Sequence, residues 1–463
     1  MSRSVAVAQS VEYLDSGAFR ADLARRVAYP TESRDPRRAA VLHAYLADEM
    51  VPAAERLGCT ARIVDDSADT DLPFLVAHRH EADDLPTVLV YGHADVVMGD
   101  AERWRPDLDP WRVDADGERW YGRGTADNKG QHSVNLAALE QVLRVRGRLG
   151  FNLKIILETG EEVGSPGLRE LCVRLADELA ADVLVASDGP RVSAERPTLF
   201  LGSRGATPFT LRVDLREGAH HSGNWGGLLR NPATVLANAL ATIVDGRGRI
   251  LVPALRPPAI PDNVRAALAD LTVGGDPGDP VIDDGWGEPG LTPAERLVGW
   301  NTVEVLSLAA GNPDTPVGAI PGTAHAHCQL RSVVGTDVDK LEIVLREHLA
   351  AHGFGMVDVQ VGATMRATRT DPDDPWVRWA LASMAATTGT RPALLPNLGG
   401  SIPNEAFADV LGLVTLWIPH SYPGCSQHAP DEHLLTTVAR EGLAIMAGLF
   451  WDLGENPPSR RQA

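Results

Sequence analysis

Acidic and imidazole side chains recur in this sequence just after short apolar runs. Thr87–Tyr91 (TVLVY) leads into Gly92-His93-Ala94-Asp95, and Leu153–Leu157 (LKIIL) leads into Glu158-Thr159-Gly160-Glu161-Glu162. Val183–Ala186 (VLVA) leads into Ser187-Asp188-Gly189, and Leu413–Ile418 into a loop containing His420 and His428. A fifth segment, Gly122–Gly130, carries Asp127 and Asn128 between glycines, just before a helical pattern. Carboxylate and imidazole together suit zinc, or related ions such as manganese and cobalt. Two such ions side by side need a bridging carboxylate, terminal ligands on each, and a free carboxylate to deprotonate the attacking water. Glu161 and Glu162, adjacent in a loop, can divide the last two roles between them. His420, His428 and His433 compete for the late ligand. His325 and His327 also form a pair, but on the polar side of a strand, where solvated side chains are the default. Cys425 is not required as a ligand once Asp and Glu fill the site.

These loops can gather at one place only if the apolar runs are strands of one sheet. In open α/β sheets, ligands bind beyond the carboxyl ends of the strands. Solidly apolar runs alternating with helical patterns, including Val134–Val145 and Leu168–Leu179, predict a mostly parallel sheet with helices on both faces. From about 206 to 366 the pattern changes to period two. Ala324, Ala326, Cys328 and Leu330 share one face there, and His325, His327, Gln329 and Arg331 the other, which predicts a sheet covered on one side. A helix is expected to start at Asn231-Pro232, a good cap with Pro in the first turn, and another to span Val338–His352. Leu255–Thr292, dense in Pro, Gly and Asp, reads as surface loops. The arrangement expected is a discontinuous α/β catalytic domain (1–205 and 369–463) with an α+β domain inserted over 206–368. Arg366–Asp374 is then the return linker.

A chain of 463 residues makes two domains the starting expectation. The formal charge is 43 − 62 = −19, which argues against nucleic acid and anionic membranes as partners. No apolar run approaches the roughly 20 residues of a membrane span, and the first twenty residues lack the pattern of a secretory leader. Four cysteines, Cys59, Cys172, Cys328 and Cys425, are far apart and form no CxxC. A cytoplasmic protein without disulfides is expected.

The motifs YGHADVV, YGRGTADNKG, LETGEEVGSPG, SDGP, HHSGNWGG and NLGGSIPN and the late His428 stand in order from about Val88 to His428. Together they resemble the zinc-dependent M20 peptidase family, and most closely its dipeptidase (carnosinase-like) branch. The resemblance implies two divalent ions per chain, with His93 and Asp188 on one, Glu162 and His428 on the other, and Asp127 bridging them. It implies Asp95 as the partner of the His93 ring, a cis peptide bond after Asp127, and Glu161 as general base. It also implies that His221 steadies the oxyanion from across a homodimer interface in the inserted domain. Arg331 would grip a substrate carboxylate, and Gly400 and Ser401 would line the cleft. Three departures bear on substrate: AHHSG stands where the branch commonly has DLHSG, Asn404-Glu405 follows GGSIP, and the late motif is HAPDEHL. The activity implied is hydrolysis of a dipeptide or similar small peptide. N-acyl amino acid deacylation or decarbamoylation is the alternative on the same machinery. A non-catalytic metal-binding protein would have lost the base or the bridge, and neither is lost.

Overall fold

The computed structural model describes residues 2–65, 71–275 and 280–458. Two compact units emerge: Met1–Gly202 with Thr370–Leu395 and Pro403–Ala463, and Ser203–Arg369 with Pro396–Ile402. The short segment 396–402 thus groups with the inserted part, although the boundaries read from sequence leave it in the other.

The first unit is built on an eight-stranded sheet. Its order is Thr60–Val64, Phe74–Arg79, Asn152–Glu158, Thr87–His93, Val183–Ala186, Val414–Trp417, Thr198–Phe200, Ala393–Leu395. The central strands 152–158, 87–93, 183–186 and 414–417 pair in parallel. Toward the edges, strands 60–64 and 74–79 pair antiparallel, as do 74–79 with 152–158 and 414–417 with 198–200. Strand 393–395 pairs in parallel with 198–200, so four of the seven pairings are parallel and the sheet is mostly parallel, as expected, with antiparallel pairs mixed in. Strand 60–64 alternates weakly and offers no apolar run, whereas 74–79 opens on the buried apolar run Phe74–Ala77, which was not among the strands expected from sequence.

The central strands are apolar throughout because both faces are covered. Val88 and Val90 join a core made with the helices Arg3–Asp15, Lys129–Arg146, Pro375–Thr388 and Thr436–Glu455. Leu89 and Tyr91 are buried on the opposite face, where the Tyr91 ring lies 5.0 Å from Phe407 and 5.5 Å from Trp417. The helix expected over 168–179 is broken into Leu168–Arg174 and Ala176–Leu179. No helix among the described residues is long and apolar enough to cross a membrane.

In the second unit, four antiparallel strands run in the order Thr302–Ala309, Thr323–Ser332, Gly205–Asp214, Val357–Val361. Ala324, Ala326, Cys328 and Leu330 are buried as the alternation predicts, against the helices Pro232–Ile243 and Leu341–Ala351. Asn231 caps the first of these, its side chain accepting from Ala233 N at 2.9 Å, with Pro232 in the first turn. Leu255–Thr292 is not all loop. Helix Asp262–Leu268 buries Val264 and Leu268 against Ile260, Ala294 and Val298. Its apolar spacing is too short to stand out among the prolines and glycines around it. Residues 276–279 of that stretch lie outside the described residues. The return linker carries a short strand, Thr368–Arg369.

Candidate metal centre

Parallel pairing brings the acidic loops together. His93 is the last residue of its strand and stands opposite Glu158, the last of the next. Glu161 and Glu162 follow in a turn of 3₁₀ helix, Glu161–Val163. Asp188 lies two residues beyond strand Val183–Ala186, and Asp127 just before helix Lys129–Arg146. That helix approaches closely: a Cβ on Gly130 would sit 1.9 Å from the carbonyl oxygen of Thr125, so only glycine fits. The peptide bond from Asp127 to Asn128 is cis, as the resemblance implies. His428 sits in the loop after Val414–Trp417 in a left-handed conformation, φ 58°.

The two oxygens of Asp127 face different imidazoles. Oδ1 is 2.9 Å from His93 Nε2, and Oδ2 is 2.9 Å from His428 Nε2. Asp188 approaches His93 at 3.8 Å, and Glu162 approaches His428 at 3.1 Å. Two groups result, His93–Asp127–Asp188 and Asp127–Glu162–His428, each with its donor atoms within 4.8 Å of one another and sharing Asp127. The five residues brought together are those that the resemblance implies as ligands.

Its electrostatics call for cations. Burial opposes ionisation of Asp127, but hydrogen bonds from His428 and His93 hold it well below the usual carboxylate range. Burial also opposes the charge on His93, yet Asp127 and Asp95 keep its pKa well above that of free imidazole. His428 is raised to about 10 by its bonds to Asp127 and Glu162. Burial, then the charge of Asp127, push Glu162 up to about 7 and Asp188 to about 6. Glu162 Oε1 is buried with no hydrogen-bond partner, which is costly unless a cation sits against it. Hard oxygen and imidazole donors, a shared carboxylate and an orphaned oxygen fit two divalent ions.

Asp95 is fully buried and does more than hold the His93 ring. Its carboxylate lies 3.3 Å from His93 Nδ1 and accepts the backbone N–H groups of Glu161 and Glu162 at 3.2 and 3.1 Å. One side chain therefore orients a ligand imidazole and the turn carrying both glutamates. Glu161 belongs to neither ligand group. Burial, then the neighbouring charges of Asp188, Asp127 and Glu162, raise its pKa well above an ordinary carboxyl; cations among those carboxylates reverse that push.

The rival histidines are engaged elsewhere. His420 is buried with Nε2 3.1 Å from Ser187 Oγ, and His433 Nε2 is 2.6 Å from the Tyr422 hydroxyl. Burial pushes the Cys425 thiol up to about 12, so it is no thiolate at neutral pH. His327 Nδ1 lies 3.0 Å from Thr210 Oγ1, and neither His325 nor His327 joins a ligand group among the described residues.

The remaining sequence candidates lie in the second unit. Arg331 and Ser401 meet: the guanidinium donates to Ser401 Oγ at 2.9 Å, and that hydroxyl donates to the Arg204 carbonyl at 2.7 Å. Gly400 is exposed beside them. His221 is exposed and accepts at Nδ1 from Gly223 N at 3.1 Å.

Two residues near the site had no role assigned from sequence, although Glu432 belongs to the late motif HAPDEHL. Gln427 donates through its side-chain amide to Asp127 Oδ2. Glu432 is buried and accepts backbone N–H groups of Gly124, Ala126 and Asp127. Only its place four residues past His428 could have drawn attention to it.

Residues 89–452 match the family described as Peptidase family M20/M25/M40. A cysteinylglycine-S-conjugate dipeptidase of Corynebacterium striatum is 28% identical over 356 residues, 73% of each chain. The β-Ala-His dipeptidase of Homo sapiens is 25% identical over 408 residues, 83% of this chain and 78% of that one. Among solved structures, an M20 family metallo-carboxypeptidase of Sulfolobus solfataricus superposes with a TM-score of 0.78 at 23% identity, covering 93% of this chain and 98% of the other. The sequence match spans every residue of both triads, and the shared aspartate supplies what a dinuclear hydrolase needs: the chain belongs to the M20/M25/M40 peptidase family.

Proposed function

We propose that this hydrolase cleaves the amide bond of a dipeptide bearing a free carboxyl terminus. The observation that carries the reading is the presentation of the two oxygens of Asp127 to two separate ligand triads, with Glu161 beside them and outside both. Two divalent cations, zinc by donor type, supply Lewis acidity toward the scissile carbonyl and acidify the attacking water. His93, Asp127 and Asp188 would hold one, and Asp127, Glu162 and His428 the other. Glu161 takes the proton from the water and delivers it to the leaving amine, its position fixed through the bond from its backbone N–H to Asp95. Arg331, steadied by Ser401, pairs with the substrate carboxylate, and Gly400 keeps that segment open to an incoming chain. His221 donates to the developing oxyanion in the partner subunit. The dipeptidase names of the relatives support this substrate class.

The homodimer is formed through the second unit. Strand Thr302–Ala309 is the edge of its sheet, and Val305, Leu306 and Leu308 there are 42%, 62% and 55% exposed. An apolar edge strand invites pairing, and a second copy closes it with two-fold symmetry. Four buried thiols, none in a disulfide, support a cytoplasmic location.

The test is a product analysis of the zinc-loaded protein against dipeptides, tripeptides, N-acyl and N-carbamoyl amino acids. Release of paired free amino acids from dipeptides is expected. Cleavage confined to the N-acyl or N-carbamoyl substrates would replace the reading with the deacylase alternative.

A further inference from the structure

Antiparallel pairing of His433–Leu435 with Arg119–Tyr121 brings Glu432 against the loop that ends in Asp127. The Glu432 carboxylate is 1% exposed there. Oε1 accepts from Gly124 N, Ala126 N and Asp127 N at 3.0, 2.9 and 3.0 Å. Oε2 accepts from Arg123 Nη1 at 2.7 Å, and Arg123 is itself buried, its guanidinium 5.5 Å from the centre of the Trp104 ring. Four donors thus converge on one side chain. An ionised carboxylate has lone pairs for all of them; a neutral amide has one acceptor oxygen and would turn its NH₂ on the remaining donors.

We infer that Glu432 is a positioning residue for the dinuclear centre, holding the Gly124–Asp127 backbone so that the two oxygens of Asp127 point to opposite sides. The inference rests on the two-ion reading of the ligand triads. Asp127 can rotate about its own side-chain bonds, so its presentation depends on where its backbone is anchored. Glu432 takes the N–H of Asp127 itself and that of the residue before it, leaving the carboxylate free for ligation. Arg123 cancels the negative charge that Glu432 would otherwise add beside Asp127. Because Asp127 serves both ions, a slack anchor weakens both sites together rather than one.

The experiment is a substrate-free zinc titration of the full chain against a chromophoric chelator. It is run on wild type, Glu432→Gln and Glu432→Asp, at a temperature where circular dichroism reports native folds. Glu432→Asp keeps the charge for Arg123 but falls one methylene short of the Ala126 and Asp127 N–H groups. Both variants are expected to bind zinc about 10–100-fold more weakly, the usual effect of removing a residue that orients a ligand, with both ions lost in one step. At saturating zinc, kcat on the best dipeptide should recover with KM unchanged. A folded variant with wild-type zinc affinity, or one that loses a single ion, would overturn the inference. So would a KM shift that persists at saturating zinc, or failure of both variants to fold, which would assign Glu432 to the fold alone. A protein that cleaves no peptide would sink the peptidase reading and leave the titration readable.

Discussion

Asp127 serves two ions with one carboxylate, and that sharing makes the consequences of its loss specific. Asp127→Ala removes a ligand from both triads at once, so zinc measured by elemental analysis should fall from two ions per chain toward none. A variant that retains two ions would contradict the bridging role. Glu161 stands apart from both triads. Glu161→Gln should therefore keep both ions and the native fold while kcat falls by about 10²–10⁴, the span of general acid–base catalysis. Near wild-type turnover in the zinc-loaded variant would remove Glu161 from that role. His428 contrasts with His93: its side chain is 53% exposed where that of His93 is fully buried.

At the scale of elements, the site depends on strand ends and on one exposed edge. Parallel pairing of strands 87–93, 152–158 and 183–186 sets their carboxyl ends side by side, and the Asp95 carboxylate then stitches the first strand end to the turn after the second. In the second unit, the sheet breaks register between Val305 and Ser307, leaving Leu306 outward on an unpaired edge. If the proposed homodimer forms on this edge, the double substitution Leu306→Asp with Leu308→Asp should yield monomers in light scattering coupled to size exclusion, because charges on an edge strand oppose pairing. A dimer that survives both charges lies on another surface. A complementary measurement addresses His221. Mixed dimers of His221→Ala and Glu161→Gln chains hold one site with both lesions and one with neither, so activity should return on co-refolding. No recovery, in dimers shown by mass to be mixed, would place His221 in its own subunit's chemistry or outside it.

For the whole molecule, metal bound to the native state is expected to add to its stability. Asp95, Asp127, Glu161, Glu162 and Asp188 gather around two imidazoles, and the chain already carries a formal charge of −19. Ligands that bind only the native state stabilise it by about 2.7 kcal/mol at a free concentration 100-fold above Kd. Chelation should therefore lower the melting temperature, and zinc titrated back should raise it with the logarithm of concentration. A melting temperature indifferent to metal would mean that the acidic cluster is satisfied without it.

The acidic and imidazole candidates were legible because each is local: His93, Glu162, Asp188 and His428 follow apolar runs within ten residues, and Asp127 stands between glycines just before a helix. The period-two stretch over residues 324–330 and the cap at Asn231-Pro232 were legible for the same reason, since pleat and capping repeat over a few residues. Strand 60–64 was not, because its antiparallel partner, rather than its own composition, makes it a strand. Helix 262–268 was hidden by the glycines and prolines around it. Glu432 was the hardest to read: its meaning lies in N–H groups about 305 residues earlier in the chain, joined to it only by a strand pairing. Sequence alone determined which side chains this protein has for chemistry and on which strand ends they stand, because side-chain type and short-range periodicity are written locally. The tertiary structure decided how Asp127 is shared and what holds it, because the donors on a buried carboxylate are counted only after the chain has closed around it.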